Sequence, residues 1–192
     1  EAAFAVAAGA VWVATNTDLS IPQARGIAPG NGTLVAAVAS ATGQRPVVAG
    51  KPEAPLFTTA ARHLGVERPL VVGDRLDTDI LGGTNAGYAT ALVLTGVDSP
   101  ASALAARTTE RPDFLIPNLG ALYEPYPALE PVDGGFRCGT VTARVSGGEV
   151  LVDAPEGDLD GWRAACAAWW QEHPNAAQPT NPQVRWTVGA GS

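Results

Sequence analysis

"VVGDRLDTDILGG" (residues 71–83) runs a short apolar segment into Gly73-Asp74 and follows it with two more carboxylates, Asp77 and Asp79. Together with Pro69 and Leu70, the apolar part reads as a buried strand over 69–73. The polar part opens a helix that Asp77 or Thr78 caps and that continues to Ala86, stopping at Gly87. A strand without apolar–polar alternation requires cover on both faces, as in a parallel sheet flanked by helices.

The same pattern extends in both directions. "VWVA" (11–14), "PVVAG" (46–50), "TALVLTG" (90–96) and "DFLIP" (113–117) read as further strands. "EAAFAVAAGA" (1–10) has helical composition, with Gly9 suited to its end. A turn-rich loop is expected over 15–32, a helix over 33–42 stopped by Gly43, and a helix over 53–64 with Pro52 in its first turn. Strands alternating with helices give an α/β fold over residues 1–125, a parallel sheet with helices on both faces. The composition changes at "YEPYPALEPVDGG" (123–135), which reads as a linker. Residues 126–192 then form a small α+β unit: a hairpin turning at Gly147-Gly148, an amphipathic helix over 158–173 begun by Asp158 or Asp160, and a last strand over 183–189. Trp162, Trp169 and Trp170 are expected to pack that helix onto the hairpin.

The charge balance removes several functions. Twelve Lys and Arg stand against 19 Asp and Glu, a net charge of −7, which argues against a nucleic-acid surface. No run approaches the roughly 20 apolar residues of a membrane-spanning helix. Cys138 and Cys166 are far apart and form no CxxC pair, so a zinc site is not expected; free, partly buried thiols in a reducing cytoplasm are favoured over a disulfide. The opening stretch is short, begins with Glu and has no basic flank, unlike a signal peptide. The sequence contains no Met, and the chain is expected to be a processed, cut or partial form of a longer protein.

In an open parallel sheet, ligands gather at the carboxyl ends of the strands. Asn16 and Asp18 fall there after the first strand, Lys51 after the second and Asp74 after the third. Asp74, beside Gly73, suits a hard cation and equally a turn. Asp79 is either a helix-dipole carboxylate or a partner of Lys51 or of a metal-bound water. Asp77 reads as a plain cap. Lys51 precedes a helix N-terminus, where anions are favoured. Several lookalikes fail. A Walker A loop needs Ser or Thr after its lysine, and Pro52 stands there. In a phosphoacceptor receiver the lysine follows the aspartates, whereas Lys51 precedes them. Only two histidines exist, His63 and His173, and neither supports a Ser-His-Asp triad.

"VWVATNTD", "VVAGKPEAPLF" and "LVVGDRLDTDILGGTNAGYATALVLTGV" together resemble the second half of a haloacid-dehalogenase-superfamily phosphatase, in the group with a large cap that includes p-nitrophenylphosphatases and phosphoglycolate phosphatases. The resemblance covers roughly residues 1–122, with 1–10 as the end of the cap region. The added C-terminal unit further resembles that of actinobacterial glycerol-3-phosphate phosphatases. The resemblance implies hydrolysis of small phosphorylated metabolites through an aspartyl-phosphate, with Mg²⁺ as cofactor. It makes Asp74 a metal ligand and Lys51 the catalytic residue that holds phosphate and nucleophile. Asp79 would stand behind them, and Asn16 and Asp18 would have a structural or supporting part at the cap hinge. The family's N-terminal DxDG strand end is absent. "DLDG" (158–161) does not replace it, because no apolar strand precedes it. The chain alone is therefore expected to be inactive and to need the N-terminal half of the same protein as partner. A non-catalytic interaction module is the alternative, and an acyltransferase-like tail a more distant one. Association into a homo-oligomer through an exposed sheet edge stays open.

Overall fold

Residues 1–187 are described by the computed structural model. The chain divides into one unit formed by residues 1–72 and 77–90 and another formed by 73–76 and 91–192.

The first unit opens with helix α1 (Ala2–Ala7), which ends at the expected place, with Gly9 at φ +94°. Strand β1 (Val13–Ala14) is followed by β2 (Ser20–Gln23) and β3 (Gly26–Pro29), then α2 (Asn31–Thr42), β4 (Val47–Val48) and α3 (Pro55–Leu64). The region expected as a turn-rich loop therefore holds an antiparallel hairpin, with Ser20 opposite Pro29 and Gln23 opposite Gly26. Pro22 and Pro29 concealed it: proline is excluded from central strands but tolerated in a two-stranded ribbon with free edges. Helix α2 ends as the sequence requires, with Gly43 in the left-handed region at φ +68°. Helix α3 starts at Pro55 rather than beside Pro52. The ring of Pro55 fixes φ for the first helical turn, and residues 51–54 lie outside the helix. Beyond β5 (Leu70–Gly73), the expected helix is split. Leu76–Ile80 is a π-helical turn and α4 (Leu81–Asn85) follows it. Single π turns often mark sites where a side chain must be re-aimed. Thr78 and Ile80 on this turn are buried, Ile80 completely.

Strand β6 (Ala89–Val93) crosses from one unit to the other. In the second unit come α5 (Pro100–Ala105) and β7 (Phe114–Ile116), with Ala91, Leu92 and Val93 of β6 paired in parallel with Phe114, Leu115 and Ile116. Ser99 caps α5 through a reciprocal box with Ser102. Leu92 and Leu104 are essentially fully buried, each worth about 1.5–3 kcal/mol of transfer free energy. The parallel strands thus fall in two ladders, β1–β4 and β5–β6–β7, giving the expected α/β class.

The remainder is a five-stranded sheet: β8 (Leu129–Val132), β9 (Gly135–Cys138), β10 (Val141–Ser146), β11 (Glu149–Val152) and β12 (Gln183–Trp186), with α6 (Leu159–Glu172) between the last two strands. The first four strands form an antiparallel meander, and β12 joins β11 in parallel, as a helical crossover allows. The stretch read as a linker contains β8, whose Pro131 a sheet edge tolerates. Asp158 caps α6 by accepting from the Gly161 N–H at 2.8 Å. Val188 and Gly189 of the expected last strand lie outside the described residues. Cys138, Ala143, Val150 and Val152 are fully buried, as are Ala164, Ala165 and Cys166 of α6; small helix residues let the helix sit close to the sheet.

The tryptophans do not act as one cluster. Trp162 meets Trp186 edge-on, with centroids 5.2 Å apart. Trp169 stacks on His173 and donates to Thr180 Oγ1, while Trp170 donates to the Leu104 carbonyl at the end of α5. Trp169 and Trp170 each find one acceptor beyond the hairpin, while α6 itself packs against β9, β10 and β11. Cys138 and Cys166 are separate buried thiols. Burial first, then the nearby Asp160 carboxylate, pushes Cys138 up to about 12, and burial pushes Cys166 higher still.

Candidate functional site

In the first unit the parallel ladder continues past its strand ends, and this assembles the site. Val13 faces Val47 and Ala14 faces Val48. The Ala49 N–H then donates to the Ala14 carbonyl at 2.9 Å, and the Thr17 N–H to the Lys51 carbonyl at 3.0 Å. The two chains run so close that a Cβ on Gly50 would lie 2.1 Å from the Thr15 carbonyl oxygen, so only glycine fits. This zipper sets Lys51 beside Asp18. Asn16 fixes the turn between them: its Oδ1 accepts from the Asp18 N–H at 3.1 Å, and its carbonyl accepts from Asn31 Nδ2 at 2.7 Å. The Gly32 N–H closes the same corner on the Asp18 carbonyl at 2.8 Å.

Lys51 Nζ donates to Asp79 Oδ1 at 2.8 Å and lies 3.3 Å from Asp18 Oδ2. The π turn carries Asp79 into this position, and Asn85 Nδ2 donates to the Pro52 carbonyl at 2.8 Å, tying α4 to the same loop. The Lys51 side chain is about three-quarters buried, that of Asp79 more so, and Asp18 Oδ1 is buried without a hydrogen-bond partner. Thr78 Oγ1 is likewise buried and unpartnered. Burial alone would lower the lysine pKa. The hydrogen bond and charge of Asp79, with the charge of Asp18, outweigh it, and the net shift is upward from 10.5.

That direction fixes a pH window. A lysine whose folded pKa exceeds its unfolded one contributes stability that is fully present below the unfolded value. The contribution is lost as pH rises through the folded value. The stability difference between the protein and its Lys51→Met variant is therefore expected to stay constant from pH 6 to about 9 and to shrink only above 10.5. Urea titrations across that range measure it. A difference that already falls between pH 7 and 9 would count against the ion-pair geometry.

Asp74 belongs to the second unit, with residues 96–98. Its Oδ2 accepts from the Val97 N–H at 3.0 Å, and its carbonyl accepts from the Asp98 N–H at 3.0 Å. Asp98 answers by accepting from the Leu76 N–H through Oδ2 at 2.8 Å. A Cβ on Gly96 would lie 2.0 Å from Asp74 Oδ2. Neither Gly96 nor Asp98 announces itself in the sequence, although "TGVDSP" places both just past the carboxyl end of β6, where a site residue of an open sheet belongs.

The structure thus brings Lys51, Asp18 and Asp79 into contact, places Asn16 behind Asp18, and seats Asp74 in a backbone clasp of its own unit. Asp158 and Asp160 of "DLDG" are occupied structurally, Asp158 capping α6 and Asp160 paired with Arg163 at 2.6 Å. Among the described residues, no three His, Cys, Asp or Glu side chains gather as a metal-holding group. No helix of the described residues is long and apolar enough to cross a membrane.

Residues 48–122 match the HAD-hydrolase-like family model. The chain is 41% identical over 179 residues to D-glycerol 3-phosphate phosphatase of Mycobacterium tuberculosis, covering 89% of this chain and 50% of that protein. It is 47% identical over 95 residues to the 5′-nucleotidase YutF of Bacillus subtilis, covering 48% and 37%. The crystal structure of glycerol phosphate phosphatase from Mycobacterium tuberculosis in complex with magnesium superposes with a TM-score of 0.77 at 41% identity, over 96% of this chain and 54% of that one. The calcium complex gives 0.81 at 39% identity, over 98% and 55%. For 4-nitrophenylphosphatase from Thermotoga maritima the TM-score is 0.58 at 38% identity, over 63% and 47%. The chain spans about half the length of the curated relatives it matches. The segment that carries Lys51, Asp74 and Asp79 lies within the match to the HAD-hydrolase-like family model.

Proposed function

We propose that this chain supplies the lysine and one metal-binding carboxylate of a Mg²⁺-dependent phosphatase that hydrolyses small phosphate monoesters, glycerol 3-phosphate foremost. The observation that carries the reading is the Lys51 ammonium held between Asp79 and Asp18 at the end of β4. The similarity to glycerol phosphate phosphatases along nearly all of the chain supports the choice of substrate.

A lysine ammonium has three N–H donors. Asp79 and Asp18 engage two, which points the ammonium and leaves a third for an oxygen of the phosphoryl group. The same cation screens the approach of an anionic nucleophile to an anionic phosphate. The attacking carboxylate would be an aspartate of a segment outside this sequence, forming an aspartyl-phosphate that water then hydrolyses. Val13 and Val47 lie opposite each other in β1 and β4 and remain 54% and 66% exposed. Parallel strands are normally covered on both faces, which supports a further segment packed there.

The three-residue cluster is formally net negative, so it would not draw a phosphate dianion unaided. A divalent cation reverses that field. Magnesium needs only one or two protein carboxylates, with waters and phosphate oxygens completing its shell, and Asp74 offers one hard carboxylate of that kind. When bound, the metal would supply charge that offsets the repulsion between nucleophile and substrate.

Phosphate release from glycerol 3-phosphate is the test, with Mg²⁺ and with the metal chelated, for this chain alone and for the full-length protein. The expected result is metal-dependent release by the full-length protein and none by residues 1–192 alone. No release from any small monoester by the full-length protein would overturn the proposal in favour of a non-catalytic module. Release by the isolated chain would overturn the assignment of the nucleophile to another segment.

A further inference from the structure

We infer that the turn at Gly96–Asp98 is the positioning device for the Asp74 carboxylate, and that it sets the affinity of the divalent cation there. The inference rests on the reading of Asp74 as a metal ligand. Four features, all within the second unit, converge on Asp74 and the backbone beside it. The Val97 N–H occupies Oδ2, which fixes the rotation of the carboxylate plane. The Asp98 N–H holds the Asp74 carbonyl, which fixes its backbone. The Asp98 carboxylate holds the Leu76 N–H, so the turn grips the chain on both sides of Arg75. Gly96 lies against the carboxylate so closely that a methyl group would overlap both Oδ2 and Cγ, at 2.0 and 2.5 Å.

An aspartate that merely capped a turn would need one such contact. Here the grip is reciprocal. The residue that receives Asp74's support, Asp98, returns it two residues further along, and the glycine removes the only atom that would push the carboxylate aside. Asp98 touches no substrate in this scheme; it acts through Asp74. Groups that orient a metal ligand typically change metal affinity by 10–100-fold when removed, because the ligand must then be ordered at the expense of binding.

Mn²⁺ binding to the full-length protein, followed by electron paramagnetic resonance without substrate, separates the possibilities. Gly96→Ala and Asp98→Ala are expected to weaken Mn²⁺ binding by about 10-fold or more. Asp98→Asn keeps an oxygen that can accept from the Leu76 N–H, so it is expected to stay within about 3-fold of the unaltered protein. Thermal melts report folding, and Asp98→Asn serves as the rescue if Asp98→Ala is poorly folded. If Asp74→Asn removes binding while Gly96→Ala and Asp98→Ala leave it unchanged, the inference is wrong and the reading of Asp74 stands. If Asp74→Asn also leaves binding unchanged, or the unaltered protein shows no saturable binding, both fall.

Discussion

Replacing Lys51 by Met in the full-length protein is expected to lower kcat for phosphate release by at least 10²–10³-fold, with a smaller change in KM. Methionine keeps the apolar stem of lysine and most of its length, and removes the ammonium with its charge and three donors. Asp18 and Asp79 would then be left on either side of an apolar tip, two carboxylates in a mostly buried corner with no cation between them. That arrangement repels an incoming phosphate as well as failing to hold it. The structural penalty should be smaller than for a fully buried pair, roughly 1–2 kcal/mol, because water still reaches the ammonium. Lys51→Arg is expected to rescue little. A planar fork cannot divide its donors between two carboxylates and a substrate oxygen as a rotating ammonium does. Steady-state kinetics beside urea unfolding would separate the two effects. A Lys51→Met protein within 5-fold of normal kcat would remove the lysine from the catalytic machinery.

Arg163→Met is expected to destabilise the fold by about 2–3 kcal/mol, less than the roughly 3–5 kcal/mol for one side of a fully buried ion pair because Asp160 is one-third exposed. Arg163 is only 10% exposed. Its Nε and one terminal nitrogen donate to the Leu115 carbonyl at 3.1 and 2.8 Å, and the other terminal nitrogen to Asp160 at 2.6 Å. The guanidinium also lies over the Tyr126 ring at 4.6 Å, and the Tyr126 hydroxyl accepts from the Leu115 N–H. Removing it strips a buried carbonyl of both donors and leaves Asp160 uncompensated. Arg185→Met is the control: Arg185 is two-thirds exposed in its pair with Glu149, so the loss there is expected to stay below about 0.5 kcal/mol. Urea midpoints for the two variants should differ clearly. Equal midpoints would mean that the Arg163 network contributes nothing beyond a surface ion pair.

The positions where sequence and structure agree share a cause. Gly43 and Asp158 end or begin helices through contacts with their own neighbours, so local sequence suffices to find them. The strands around Asp74 were legible because a fully apolar run admits few alternatives. What escaped depends on contacts between distant segments. The 20–29 hairpin carries two prolines that a central strand would forbid, and only its position as a free ribbon permits them. The π turn at 76–80 has the sequence of an ordinary helix start, and nothing in its residues announces the extra residue in the turn. In the candidate site, Lys51, Asp18 and Asp79 were legible as polar residues after strands. That Asp79 and Asp18 share one ammonium follows from the 28- and 33-residue separations that the fold closes. Gly96 and Asp98 escaped for a different reason: their importance lies in backbone N–H groups and in a missing methyl, neither of which a motif displays.

The links between residues 163–180 and the elements α5 and β7 bear on how such a chain tolerates change. The Leu115 carbonyl is held by Arg163, the Leu104 carbonyl by Trp170, and the Ala105 carbonyl by the Thr180 N–H at 2.7 Å. Three acceptors on residues 104–115 are thus held by residues 163–180. A chain lacking residues 160–187 would have to satisfy these carbonyls with water or with other side chains. Deleting that segment would remove all three donors and uncover the apolar surface beneath α6 in a single step. A segment acquired as an accessory can in this way become a requirement for the fold, whether or not it ever takes part in chemistry.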